Sequence, residues 1–113
     1  MHALIIEDES LIAMAIEDYL RELGFTSFDL APCPQSAISA AADRCPDLIT
    51  SDVQLKPGCG ISTVLTICEG INIPVIFITG NVADVRRRLP ECRALTKPFS
   101  AQQLAAAVHE VLG

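Results

Sequence analysis

Acidic side chains follow two strand-like runs of the sequence, at the point where each run ends. Ala3-Leu4-Ile5-Ile6 is followed by Glu7-Asp8-Glu9, and the run that begins at Asp47 ends in Asp52. If these runs are neighbouring parallel strands, their carboxyl ends meet at one rim of the sheet and several carboxylates converge there. Like charges this close need a cation, and carboxylate oxygens are ligands that Mg2+ prefers. The spacing therefore predicts a magnesium-dependent acidic pocket.

Two further polar residues end later strand-like runs and should reach the same rim. Thr79 ends an apolar, β-branched run, and Lys97 ends a brief run before Pro98. Each residue also has an ordinary structural explanation. A strand-end Asp can cap a turn, a Thr suits a strand by propensity, and the acids after the first run favour the dipole of the next helix. Polar residues at the ends of four strands are nevertheless more than chance usually supplies.

Strand-like and helix-like segments alternate from end to end of the 113-residue chain. The predicted strands are 3–7, 25–31, 47–52, 73–79 and 93–97, with 25–31 at an edge of the sheet. The predicted helices are 10–23, 36–44, 61–69, 81–89 and one that follows the capping-box pattern Ser100-Ala101-Gln102-Gln103. Right-handed crossovers then give a flavodoxin-like (βα)5 sandwich, a doubly wound α/β fold whose five-stranded parallel sheet has helices on both faces.

Length and charge restrict the classes of function. Half of the residues are hydrophobic, which fits a single domain over 1–113 and predicts no effector domain. The net charge of −6 disfavours nucleic acid and anionic membranes as partners. No apolar stretch approaches the ~20 residues of a membrane span, and no secretory signal pattern follows Met1. The sequence predicts a soluble, cytoplasmic protein.

The five cysteines are predicted to be small apolar core residues in a reducing compartment. They lie at 33, 45, 59, 68 and 92, and no two of them form a CxxC pair. Zinc, disulfide and thioredoxin-like sites therefore lack their usual spacing. Cys59 lies between Gly58 and Gly60 in a predicted loop, where exposure is also possible.

The order of these rim residues resembles the receiver (CheY-like) domain of two-component response regulators. That order is an acidic pair, an Asp after the third strand, a Thr after the fourth and a Lys-Pro step after the fifth, and it spans the whole chain. The resemblance implies that Asp52 accepts a phosphoryl group from a sensor histidine kinase in a Mg2+-dependent reaction. It also implies signalling through protein contact at the face of the fourth helix, fifth strand and fifth helix. Such a domain is not an enzyme, although it assists its own phosphotransfer and dephosphorylation.

The same resemblance implies a role for each rim residue. The metal ligands of the family match Glu7, Asp8, Asp52 and the backbone carbonyl of Gln54. Glu7 stands where Asp is usual, and can reach the ion through a water molecule. Thr79 matches the hydroxyl that hydrogen-bonds a phosphoryl oxygen, and Lys97 matches the cation that pairs with the phosphoryl group. The Lys97-Pro98 peptide bond is commonly cis in the family.

The chain also departs from the common pattern of the family. Ala94 stands where a Tyr or Phe usually swings inward on activation, which leaves Phe99 or Phe77 as candidate reporters, although both suit the core. The fourth helix is predicted to be short. The segment Phe77-Ile78-Thr79-Gly80 resembles the FAT GUY subgroup of mostly single-domain alphaproteobacterial receivers. That likeness implies a kinase of the HWE type.

Several alternatives remain open at this stage. A phosphorelay shuttle that passes the group to a phosphotransferase, or a phosphate sink, fits the residues as well as a receiver with a downstream target. The oligomeric state is also open between a monomer and a weak dimer. An Asp-nucleophile phosphohydrolase would need an acid where Gln54 stands. A nucleotide or flavin site is disfavoured because Gly58-Cys59-Gly60 follows the third strand and not the first. A degenerate, purely structural receiver is disfavoured because the acids, the Thr and the Lys are all present.

Overall fold

A computed structural model describes residues 1–55 and 57–113, and the predicted loop residue Lys56 lies outside them. Strands and helices alternate along this part of the chain. The strands are β1 (His2–Ile6), β2 (Ser27–Ala31), β3 (Leu48–Ser51), β4 (Val75–Thr79) and β5 (Arg93–Thr96). The helices are α1 (Ser10–Glu22), α2 (Pro34–Asp43), α3 (Gly60–Ile67), α4 (Val82–Arg88) and α5 (Ala101–Leu112). The predicted α/β alternation is confirmed.

The strands form one parallel sheet in the order β2-β1-β3-β4-β5. β2 lies at an edge, as its weaker apolar pattern predicts. β1 and β3 are direct neighbours, with Ile6 opposite Ser51. Glu7 and Asp52, which follow these two strands, therefore lie side by side at the rim of the sheet. The predicted acidic pocket requires this arrangement.

Each face of the sheet carries its own apolar core. Leu4 and Ile6 of β1 point to the face covered by α2, α3 and α4, and Ala3 and Ile5 point to the face covered by α1 and α5. This alternation follows from the two-residue period of a strand. Because helices cover both faces, the interior strands are continuous apolar runs. Polar side chains instead lie at the rim formed by the carboxyl ends of the strands.

Local signals explain where α5 and α2 begin. Ser100 Oγ accepts a hydrogen bond from the Gln103 N–H at 3.1 Å, and Gln103 Oε1 accepts one from the Ser100 N–H at 2.8 Å, so the predicted capping box is confirmed. α2 begins at Pro34, two residues before its predicted start, because proline is well suited to the first turn of a helix. α4 has seven residues and is short, as expected.

The prediction that the cysteines fill the core is wrong in part. All five are free thiols, but Cys45 is exposed and the other four are only partly buried. Cys59, Cys68 and Cys92 pack against the edge of one apolar core instead of lying inside it. Within 1–55 and 57–113, no helix is long and apolar enough to cross a membrane.

Candidate functional site

Three acidic side chains meet at the carboxyl ends of β1 and β3. Glu7 and Asp52 are nearly buried, with relative exposures of 4% and 8%, and Asp8 beside them is partly exposed. One carboxylate oxygen from each of the three lies within 4.8 Å of the others. The sequence-based expectation that these carboxylates converge is therefore confirmed.

Lys97 brings a cation into this acidic cluster from the end of β5. Its Nζ donates to Glu7 Oε1 and to Asp52 Oδ2, both at 2.9 Å. The side chain is only 18% exposed. The Lys97 N–H also donates to the Thr79 carbonyl at 2.9 Å, which extends the β4–β5 pairing to the rim. The ammonium thus bridges the two most buried carboxylates.

Backbone donors hold the Asp52 carboxylate in a defined orientation. Asp52 Oδ1 accepts from the N–H groups of Val53 and Gln54 at 2.7 and 3.3 Å, while Oδ2 faces Lys97. Asp52 therefore also caps the turn that leaves β3, as a strand-end Asp can. The two explanations of this residue hold together, because turn capping uses one oxygen and the ion pair uses the other.

Burial and ion pairing have opposing effects on the pKa of Glu7, and also on the pKa of Lys97. Burial raises the pKa of the Glu7 carboxyl above its usual value, and this outweighs the lowering by Lys97 and by the Glu9 N–H, which donates to Glu7 Oε2 at 3.1 Å. Burial alone would lower the pKa of Lys97, but its hydrogen bonds to Glu7 and Asp52 raise that pKa overall. Lys97 is therefore protonated at neutral pH, and the buried Glu7 carboxylate carries a desolvation cost.

Thr79 ends β4 as predicted and is almost fully buried. Its Oγ1 accepts a hydrogen bond from the Asn81 N–H at 3.1 Å. This bond uses a lone pair of the hydroxyl and fixes the direction of the side chain. The hydroxyl proton is consequently available for an acceptor placed at the rim.

Gly60 is a structural requirement of the site that the sequence reading did not identify. A Cβ on Gly60 would lie 1.6 Å from the Asp52 carbonyl oxygen. The Gly60 N–H donates to the Val53 carbonyl at 2.7 Å, and Ser51 Oγ donates to the same Asp52 carbonyl at 2.8 Å. Only a residue without a side chain can approach the backbone of Asp52 so closely. A glycine at the start of a helix, after the loop that follows Asp52, was the available signal.

The remaining predicted positions have mixed outcomes. The Lys97-Pro98 peptide bond is cis. Gln54 is exposed, and the role of its backbone carbonyl as a metal ligand stays a prediction. Ala94 and Phe77 are buried in the core, and Phe99 packs edge-on against Tyr19 with ring centroids 6.0 Å apart. Neither aromatic residue lies in the acidic cluster.

Comparison with known proteins identifies the family of this chain. The family model described as the response regulator receiver domain matches residues 3–109. The chain belongs to this family. A solution structure of the response regulator REC domain of Erythrobacter litoralis PhyR has a TM-score of 0.87 and 33% identity, covering 98% of this chain and 88% of that one. A CheY-like receiver domain from Methylobacillus flagellatus, 22% identical with a TM-score of 0.86, shares the fold over 98% of both chains.

Curated relatives of this receiver domain include larger regulators. It is 33% identical over 113 residues to the phyllosphere-induced regulator PhyR of Methylorubrum extorquens, covering 96% of this chain and 42% of that protein. It is 33% identical over 110 residues to the transcriptional regulatory protein PdtaR of Mycobacterium tuberculosis, covering 94% and 54%. The chain thus spans about half the length of the curated relatives that it matches. Membership of the FAT GUY subgroup stays a prediction.

Proposed function

We propose that Asp52 is the phosphoacceptor of a two-component pathway and receives its phosphoryl group from a sensor histidine kinase. One observation carries this assignment above the others. Lys97 Nζ lies 2.9 Å from Asp52 Oδ2, inside a cluster of three carboxylates at the rim of a receiver fold. A cation held beside a buried, backbone-oriented carboxylate is the arrangement that phosphoryl transfer to that carboxylate needs.

The cluster has the composition of a Mg2+ site. Glu7, Asp8 and Asp52 supply hard oxygen donors, and the Gln54 carbonyl is the proposed backbone ligand. In the part of the chain that the structure describes, three carboxylates face one ammonium, and a divalent ion would neutralise the excess negative charge. When bound, the ion would offset charge on the phosphoryl oxygens during transfer.

The residues of the chain account for the positioning of the reaction. One carboxylate oxygen of Asp52 bonds to phosphorus as the P–N bond of the phosphohistidine breaks, and the imidazole leaves with that electron pair. The Val53 N–H fixes the carboxylate, and Lys97 is placed to pair with the phosphoryl oxygens. Thr79 can donate its hydroxyl proton to one of them. Charge placement and orientation supply most of the catalysis in such transfers.

We further infer that residues 1–113 act as one receiver unit in the cytoplasm whose output is protein contact. A phosphorelay shuttle or a phosphate sink is the alternative, in which the group passes on without a dedicated target. A kinase of the HWE type, a monomeric or weakly dimeric state and the absence of an independent enzymatic activity belong to the same proposal. Phosphotransfer profiling against candidate histidine kinases would identify the donor.

The proposal is tested by intact-mass spectrometry after incubation with acetyl phosphate and Mg2+. The unmodified chain should gain one phosphoryl group, and Asp52→Asn should gain none. Asp29→Asn, in the middle of the edge strand β2 and opposite Leu4, is the matched control and should be labelled like the unmodified chain. Equal labelling of Asp52→Asn would refute the assignment.

A further inference from the structure

A side-chain contact joins α4 to the segment between β3 and α3. Arg88 Nη1 donates to Cys59 Sγ at 3.8 Å, although the two residues are 29 positions apart. All three arginines of α4 are exposed, but Arg87 pairs with Asp84 inside α4, whereas Arg88 contacts Cys59. Among residues 1–55 and 57–113, no other side-chain hydrogen bond joins α4 to this segment.

Cys59 is firmly held in its own segment. It forms an antiparallel bridge with Gln54, so the chain folds back on itself after Asp52. The Cys59 carbonyl accepts from the N–H of Thr63 at 3.1 Å and from its Oγ1 at 2.8 Å. Arg88 therefore contacts a fixed point at the beginning of α3 and not a loose loop.

The same segment is in direct contact with the backbone of Asp52. The Gly60 N–H donates to the Val53 carbonyl at 2.7 Å, and the close approach of Gly60 leaves no room for a Cβ beside the Asp52 carbonyl. A displacement of Asp52 would thus be transmitted to Gly60 and Cys59. We call residues 52–55 and 57–60 the phosphoacceptor segment.

Several hydrogen-bond donors converge on the Cys59 sulfur. Partial burial raises the pKa of its thiol, but N–H donors of Ser62 and Ile61 and the guanidinium of Arg88 outweigh this and bring the pKa below its usual value. The guanidinium of Arg88 is thus one of the groups that hold this sulfur, together with the first residues of α3.

We propose that Arg88 is a positioning residue that couples α4 to the phosphoacceptor segment through Cys59. The inference rests on the proposed function, because the signal that it transmits is the phosphoryl group on Asp52. The acyl phosphate carries about −1.5 to −2 charges at pH 7 and replaces the −1 charge of the Asp52 carboxylate, so the net negative charge at this position rises by about 0.5 to 1. The guanidinium, which is anchored one residue from Gly60, is then attracted more strongly to the segment and holds α4 more tightly.

Hydrogen exchange of α4 amides, with Mg2+ alone and with Mg2+ plus beryllofluoride as a phosphoryl mimic, tests this coupling. In the unmodified chain, beryllofluoride should slow exchange at residues 85–89 by about twofold to fivefold, the range of an exposed ionic contact. Arg88→Ala and Cys59→Ala should lose this slowing. Cys59→Ser keeps an acceptor at this position and should retain the slowing, and Arg86→Ala should also retain it.

Fluorine NMR on the same samples separates the two proposals. A bound beryllofluoride signal with unchanged α4 exchange in the unmodified chain would overturn the coupling alone. Equal slowing in Arg88→Ala, or equal loss in Arg86→Ala, would also overturn it, because the specific contact would then be irrelevant. No bound signal in the unmodified chain would refute the phosphoacceptor assignment itself, and the coupling with it.

Discussion

The first strand has a buried polar side chain at each end, and the two ends differ in how completely their polar groups are bonded. At the amino end, His2 Nδ1 bonds Ser27 Oγ and His2 Nε2 bonds Asp29 Oδ2, both at 2.8 Å. The backbone N–H of His2 donates to Asp47 Oδ2, and its carbonyl accepts from the Asp47 N–H, both at 2.7 Å. Every polar group of His2 therefore has a partner.

At the carboxyl end, one ammonium faces three carboxylates among residues 1–55 and 57–113. Lys97 serves both Glu7 and Asp52, and Asp8 adds a third carboxylate to the cluster. A closed set of hydrogen bonds stabilises a fold, whereas an excess of charge can bind a metal ion or a phosphoryl group. Burial of a polar side chain alone therefore does not mark the site, whereas incomplete charge compensation does.

The largest effect is expected from removing the cation at the rim. Lys97→Met should slow labelling by acetyl phosphate about 10²- to 10³-fold, because it removes a group that stabilises charge in the transition state. Labelling rates from quenched time courses give the measurement. His2→Gln, the matched change at the other end, should destabilise the fold by about 1–3 kcal/mol through lost hydrogen bonds and leave the labelling rate unchanged. Similar rates for both variants would remove the distinction between the ends.

The next largest effect is expected from adding a side chain at Gly60, which lies against the backbone of Asp52. Gly60→Ala places a Cβ against the Asp52 carbonyl and should lower the free energy of unfolding by about 2–4 kcal/mol. Gly80→Ala has open space around its Cβ and should change stability by less than about 0.5 kcal/mol. Denaturant unfolding measures both. An unchanged free energy of unfolding in Gly60→Ala would show that the segment can move away from Asp52 at little cost.

Removing the excess charge should separate metal binding from stability. Glu7→Gln combined with Asp8→Asn should weaken Mg2+ binding by at least about tenfold, since a unit charge a few ångströms from the ion contributes about 4 kcal/mol at an effective dielectric constant of 20. The double variant should be no less stable than the unmodified chain in metal-free buffer, because repulsion is relieved. Lower thermal stability there would contradict an acidic pocket.

The pH dependence of stability should identify Glu7 as the residue that carries the desolvation cost. Its pKa is raised in the folded state, so its contribution is fully present below the unfolded value of 4.5 and is lost as pH rises through the folded pKa. Glu7→Gln should lack this decrease. Unfolding free energies measured at several pH values from 4 upward, without metal, compare the two chains. Parallel curves would contradict the assignment.

The smallest expected effect concerns a buried polar atom outside both clusters. Thr50 Oγ1 is buried in β3 without a hydrogen-bond partner among the described residues. Thr50→Val should therefore stabilise the fold by about 1 kcal/mol, because it removes an unsatisfied hydroxyl of similar size. Denaturant midpoints decide the sign. Destabilisation would indicate that the hydroxyl has a partner, such as an internal water.

The fold and the rim cluster were predictable because both depend on patterns that lie along the chain. Alternating strand and helix periods fix the sheet, and residues that follow neighbouring parallel strands must meet, so Glu7 and Asp52 could be placed together. Lys97 follows β5, which β4 separates from β3, so the sequence pattern places it at the same rim but does not specify its contact with the two carboxylates. The hydrogen bonds of His2 depend on the register between β1 and β2, which no local pattern specifies. The Arg88–Cys59 contact depends on how α4 packs beside α3. Such contacts can be identified only from the three-dimensional structure.

Mapping of the phosphorylated residue tests the central claim most directly. After reaction with acetyl phosphate, proteolysis and tandem mass spectrometry should place the phosphoryl group on Asp52 when Mg2+ is present, and should find little or none when the metal is chelated. Modification of Glu7 or Asp8, or equal labelling of Asp52 without metal, would contradict an account in which this oriented carboxylate reacts beside a cation-binding cluster.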